Sequence, residues 1–128
     1  MGSGRIYDGF LPGRHVIDAY GNGGFRFADM SHRGSILVLP SGIKAWSVTG
    51  VSQLNEAALE PVFAEAEAIE LLLIGTGENV GPVPEALRWR LRDVGIRVDV
   101  MQTGAASRTY NILVAENRKV AAALIAVD

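Results

Sequence analysis

The stretch "IELLLIGTGENVGPVPEALRWRLRDVGIRVDVM", residues 69–101, decides the fold. It opens on 69–74, apolar almost throughout, as a strand buried on both faces of a parallel sheet must be. A glycine-rich loop, Gly75–Pro82, follows. A helix is expected over about 84–94, because Pro84 suits a first turn and Gly95 a stop. Residues 96–101 read as the next strand, with Arg97 and Asp99 on one face. Strand, helix and strand joined this closely form one right-handed parallel crossover.

Outward from that unit, Thr103-Gly104 opens a second helix over about 105–115. Its apolar residues Ala105, Ala106, Tyr110, Ile112, Leu113 and Val114 go most of the way round, so it is expected to be sandwiched in the core. Glu116-Asn117-Arg118 turns the chain, and 119–127 reads as a closing strand. The first half is rich in β signals. Residues 15–20 and 25–29 flank Gly21-Asn22-Gly23-Gly24, a hairpin sequence because Asn and Gly accept positive φ cheaply. Strands over 35–40 and 43–48 make a second hairpin about Pro40-Ser41-Gly42. Residues 53–68, rich in Ala and Glu, read as one helix or two short ones, broken or restarted at Pro61. The fold class is α/β, and 128 residues suit one domain with one core.

A net charge of −2 gives no bulk attraction to nucleic acid or anionic membrane. The absence of cysteine removes disulfides, thiol catalysis and thiolate metal sites together. No apolar run approaches the roughly 20 residues of a membrane span. Met1-Gly2-Ser3-Gly4-Arg5 lacks the apolar core of a signal peptide, so the expected setting is cytoplasmic.

The loop at Gly75 raises the question of a ligand. Its glycines run Gly75-x-Gly77-x-x-x-Gly81, one residue longer than a dinucleotide fingerprint, and Pro82 and Pro84 remove donors a pyrophosphate would use. Asp99 stands about where a ribose-binding acid would, yet too little chain follows for a second mononucleotide half, and no cofactor is expected. A weaker reading keeps a crevice between loops 75–82 and 102–108, built from Gly75, Thr76, Gly77, Glu78, Thr103, Gly104, Ser107 and Arg108. Thr103 would cap its helix, free N–H groups would favour a small anion or a partner's carboxylate, and Arg108 would stand one turn in. The plainer reading has Thr103 only capping and Arg108 paired with an acid such as Glu78.

Asp29, Ser31 and His32 are hydrolase residue types, but successive residues of an extended segment point to opposite faces, so no catalytic set is expected and turn hydrogen bonds are. His15 and His32 with Asp18 and Asp29 lack metal-ligand spacing. In the helix over 84–94, Leu87, Leu91 and Val94 form the buried stripe. Trp89 then projects outward among Glu85, Arg88 and Arg92, an aromatic flanked by arginines as at an interface hot spot. The plainer alternative places its ring half-buried under a loop.

"IDAYGNGGFRFADMSHRGSILVLPSGIKAW" (17–46), "LLLIGTG" (71–77) and "MQTGAASRTYNILVAENRKVAAALI" (101–125) resemble a family of small uncharacterised domains that includes mitochondrial respiratory complex I assembly factor 3 and an adipogenesis-associated relative. The resemblance implies a three-layer α/β domain whose central mixed sheet has a last strand antiparallel to its neighbours. It marks Gly75-Thr76-Gly77, Thr103–Ala106 and Arg108–Asn111 as family signature. Many relatives carry Cys where this chain has Ser107, so any thiol role there is absent. The family brings no catalytic residue, cofactor or substrate. It implies protein partners among respiratory-complex assembly components, hence a non-enzymatic interaction domain with no nucleic-acid role. The alternative is a small-anion or metabolite-binding protein, an unrecognised enzyme included, that uses the crevice. Nothing in the residues sets an oligomeric state.

Overall fold

The computed structural model describes residues 6–128, so Met1–Arg5, on which the signal-peptide reading rests, lie outside the described residues. Nine strands are described: β1 (Phe10–Pro12), β2 (Ala19–Gly21), β3 (Gly24–Phe27), β4 (Met30–Arg33), β5 (Ser35–Leu39), β6 (Gly42–Trp46), β7 (Leu71–Gly75), β8 (Arg97–Met101) and β9 (Val120–Leu124). Three α-helices join them: α1 (Glu60–Ala64), α2 (Glu85–Asp93) and α3 (Thr103–Ala115). Six strands form one sheet in the order β1-β6-β5-β9-β7-β8, and β2-β3-β4 form a second.

The expected β7–α2–β8 unit is present, with β7 and β8 parallel and Leu73 opposite Asp99. α2 ends as its sequence requires. Gly95, at φ 86°, takes the left-handed position after the helix. Its N–H donates to Arg92 O and that of Ile96 to Leu91 O, which satisfies two carbonyls left open at the helix end. Asn117, at φ 60°, ends α3 in the same way.

The large sheet is mixed, as the resemblance implies. Its last strand, expected antiparallel to its neighbours, is so only toward β5; toward β7 it runs parallel, and β9 is thus the junction between the two halves of the sheet. Strand alternation splits the core in two. One face, with Leu37, Leu39, Leu72 and Ile74, packs against α2 and the residues around α1. The other, with Ile36, Val38, Leu73 and Leu124, packs against α3 and the small sheet. In β9 the run Ala121-Ala122-Ala123 is fully buried, and such small side chains let both outer layers approach the sheet closely.

Several local expectations need correction. Residues 53–68 form only one short α-helix, α1, with 3-10 turns at Val51–Gln53, Ala57–Leu59 and Ala66–Ala68; Pro61 lies in the first turn of α1, where its missing N–H costs nothing. Val94 is exposed, and Ile96 joins Leu87 and Leu91 in the buried set instead. Each such buried aliphatic side chain contributes about 1.5–3 kcal/mol. α3 is not enclosed all round: Ala106 and Tyr110 are buried while Ile112 is 61% exposed. Residues 29–32 also do more than make turn hydrogen bonds, since Met30–Arg33 is a full strand paired with β3.

Two hairpins build the small sheet. Asn22 (φ 53°) and Gly23 (φ 79°) form the two-residue turn between β2 and β3. Ala28 (φ 50°) and Asp29 (φ 63°) form its equivalent between β3 and β4. Gly24 answers a different demand, because a Cβ there would lie 1.9 Å from the His32 carbonyl oxygen. Gly24→Ala is therefore expected to cost about 3 kcal/mol or more through backbone displacement. Gly23→Ala, in open space but at positive φ, is expected to cost roughly 1–2 kcal/mol. Urea denaturation of both variants checks the order; equal losses would remove the steric argument.

Candidate functional site

The two loops named from sequence meet at the carboxyl ends of β7 and β8, beside the end of β9, but what lies between them is bonded shut. The buried Thr103 hydroxyl donates to Ile125 O at 2.7 Å and accepts the Gly77 N–H at 2.9 Å. Thr103 N–H in turn donates to Gly77 O, and Thr76 N–H to Met101 O. The Thr76 hydroxyl donates to Asn79 O and accepts from Gly81 N–H, closing the glycine loop on itself. Ser107 is buried and donates to Thr103 O one turn back. Gly75 has no room for a side chain: an added Cβ would stand 2.9 Å from Thr103 Cα. Gly104 is covered by Tyr20, whose hydroxyl would lie 2.2 Å from an added Cβ.

Thr103 is thus not the N-cap. Gln102 is, its side chain accepting from Ala105 N–H at 3.0 Å. Nor does Arg108 pair with Glu78; both are exposed, and Arg108 has no ion pair among the described residues. Asn111, marked by the resemblance as family signature, is a clamp whose partner the sequence did not show. Its amide accepts Ile17 N–H and donates to Ile17 O, both at 2.8 Å, tying α3 to the segment before β2. Asp99 stands two residues short of the end of β8, opposite Leu73.

Asp29, Ser31 and His32 do not converge. Asp29 sits in the β3–β4 turn, Ser31 is exposed, and His32 turns inward, edge-on to the Tyr7 ring at 4.9 Å. Burial holds the His32 imidazole below its ordinary value of 6.5, partly opposed by its hydrogen bond to the Ser35 backbone. Burial first, and Asp8 second, push the Tyr7 hydroxyl up to about 12, and it donates to Ile43 O. Among the described residues no three His, Asp or Glu side chains gather as a metal site.

The α2 surface is open. Trp89 is 56% exposed, so roughly half of it is open to solvent. The Arg92 guanidinium lies 5.1 Å from the ring centroid, a cation–π contact worth about 0.5–1 kcal/mol at an exposed site. Arg90 points elsewhere and grips Glu56 with two bonds of 3.1 Å. Arg88 and Arg92 line a cleft of about 240 Å³ that also takes in Arg97 and Asp99 of β8.

These features define a three-layer α/β domain whose strand-end crevice is closed by its own hydrogen bonds and whose α2 face is left open. Residues 17–125 match the family described as a protein of unknown function (DUF498/DUF598), and the chain belongs to that family. An uncharacterized protein of Rhodobacter capsulatus is 39% identical over 119 residues, 93% of this chain and 87% of that protein. The NADH dehydrogenase (ubiquinone) 1 alpha subcomplex assembly factor 3 of Xenopus tropicalis is 33% identical over 109 residues, or 85% of this chain. The match spans 60% of that assembly factor's own length. A solved structure described as an outer membrane protein from Bartonella henselae is similar at TM-score 0.89 and 54% identity, over 92% of this chain and 99% of that one. The resemblance to the assembly-factor family is borne out. Among the described residues no helix is long and apolar enough to cross a membrane.

Two expectations follow from the bonding. Thr103→Val keeps the shape but orphans the buried Gly77 N–H and Ile125 C=O, at about 1–3 kcal/mol each, whereas Thr103→Ser keeps both bonds and loses roughly one methyl, near 1 kcal/mol. Guanidinium denaturation separates the two; similar losses would show that the hydroxyl is not the staple. His32 has a folded pKa below its unfolded one, so the unfolded state binds the extra proton and stability falls as pH drops below 6.5 toward the folded value. His32→Gln is expected to flatten that step between about pH 7 and pH 5, above the carboxylate range, as read from thermal midpoints across pH.

Proposed function

We propose that this chain is a non-enzymatic protein-interaction domain, one unit over residues 6–127, that takes part in assembling a respiratory complex. It acts in the cytoplasm, peripheral to the inner membrane through its partners, and meets them on the α2 face at Arg88, Trp89 and Arg92. The observation that carries this reading is Trp89, a large aromatic 56% exposed and fixed under Arg92. Burying such a ring against a partner yields a few kcal/mol, roughly 25 cal/mol for each Å² removed from water. Aromatic residues flanked by arginine concentrate binding energy at interfaces. Relatives named as complex I assembly factors support the kind of partner. The small-anion alternative lacks support, because the crevice hydroxyls of Thr76, Thr103 and Ser107 are spent on backbone partners.

The test is affinity capture of the tagged chain from gently crosslinked native cells, beside Trp89→Ala and Arg92→Ala. Respiratory-complex subunits or assembly proteins are expected with the parent chain and reduced at least tenfold with Trp89→Ala, a loss of about 1.4 kcal/mol. Capture that ignores Trp89 would remove the assigned surface, and capture of no such protein would remove the assembly role.

A further inference from the structure

The arginines of α2 divide by direction. Arg90 is bound to Glu56, whereas Arg88 and Arg92, four residues apart, lie along the cleft facing β8, where Arg97 joins them. Like charges at this spacing weaken a helix. Arg92, in the last turn, gains something from the helix dipole, but Arg88 in the middle does not. The only ion pair among the described residues is Arg90–Glu56, so all three cleft arginines lack a carboxylate partner, and Asp99 at the cleft pairs with none of them. Acids do stand nearby, Glu70 next to Leu71, Glu85 and Asp93 on α2 and Asp99 on β8, yet none forms an ion pair with a cleft arginine.

The backbone beside the cleft is open as well. β8 is the edge of its sheet. Arg97 N–H donates to Glu70 O, and Met101 O accepts from Thr76 N–H, so those residues and Asp99 turn their polar groups toward β7. By alternation, the N–H and C=O groups of Val98 and Val100 face outward with no strand to meet them. A cleft near 240 Å³ is smaller than ordinary metabolite pockets. It continues into a strand edge, a shape suited to an extended chain.

We infer that the cleft between α2 and β8 receives an extended acidic segment of a partner protein. Its carboxylates meet Arg88, Arg92 and Arg97, its backbone adds to Val98 and Val100, and one flank packs on Trp89. Arg97 repels basic strands, and the charges at Arg97 and Asp99 disfavour apolar strands that would otherwise pair with an open edge. Asp99 opposes a carboxylate set directly beside it, so the acidic groups are placed on the arginine side of the cleft. The inference rests on the α2 face being the partner surface and adds the chemistry of what binds there.

The test follows two-dimensional ¹H–¹⁵N spectra of the whole chain during titration with a short peptide of alternating Glu and Val. A Gln–Val peptide of equal length and a single-stranded oligothymidylate of equal charge serve as controls. Saturable shifts are expected at the Trp89 indole N–H and the Val98 and Val100 amides with Glu–Val only, weakened by salt. Arg92→Gln and Arg97→Gln, their spectra confirming the fold, are each expected to weaken binding roughly three- to tenfold. Arg88→Glu/Arg92→Glu is expected to take a Lys–Val peptide instead. Absence of shifts, equal binding of Gln–Val or of the oligonucleotide, or indifference to Arg97→Gln would overturn the inference. Partner capture that depends on Trp89 yet is untouched by excess Glu–Val peptide would also overturn it while leaving the interaction reading intact. Glu–Val binding with no respiratory-complex protein captured would sustain this inference and remove the assembly role.

Discussion

Three parallel strands end side by side at Gly75, Met101 and Leu124, and the backbone polar groups just beyond them are covered by the start of α3. Buried N–H and C=O groups must find partners or cost stability. One threonine hydroxyl meets that demand for two segments at once, accepting from Gly77 and donating to Ile125. The bond works because Gly75 lets the helix backbone come within contact of the strand end. With the first turn of α3 fixed there, Ser107 bonds back to Thr103, Tyr20 lies over Gly104, and Asn111 draws in Ile17 ahead of the small sheet. Much of the second layer thus hangs on how that turn is seated.

The same constraint bears on function. In open α/β sheets, ligands gather at the carboxyl ends of strands where successive connections leave in opposite directions. Here α2 covers one face and α3 the other, so β7 and β8 meet that description. The place is nonetheless filled by the protein's own bonding, and among the described residues Arg88, Arg92 and Arg97 stand without a carboxylate partner toward the start of β8 and the end of α2. A domain arranged this way has filled the strand-end position with its own bonds and left a helix face and a strand edge exposed.

How much of this could be read beforehand depended on the range of the interactions. The β7–α2–β8 unit was legible because a buried run, a Pro start and a Gly stop are local signals, and the Gly95 geometry matches them. β4 was not, because Ala28-Asp29 lacks the positive-φ signature that made Asn22-Gly23 plain. The role of Thr103 was misjudged because its partners lie 22 and 26 residues away. A residue preceding a helix looks like a cap when only its neighbours are visible. Val94 and Ile112 fitted apolar patterns yet face water, since helical periodicity says which residues share a side and not where the covering layer stops.

Sequence alone determined the α/β class, the principal strands, the hairpin at Asn22-Gly23, the exclusion of cysteine chemistry and the family likeness. The family likeness rests on motifs spread over residues 17–125, and the others rest on residue type or on spacing within a few turns of chain. Tertiary structure alone decided that the glycine loop is closed, that Gln102 caps α3, and that Arg97 joins Arg88 and Arg92 beside an exposed Trp89. Those outcomes depend on which distant segments meet and on which polar groups find partners there. Hydrogen bonding and burial are properties of the packed chain, and no local pattern carries them.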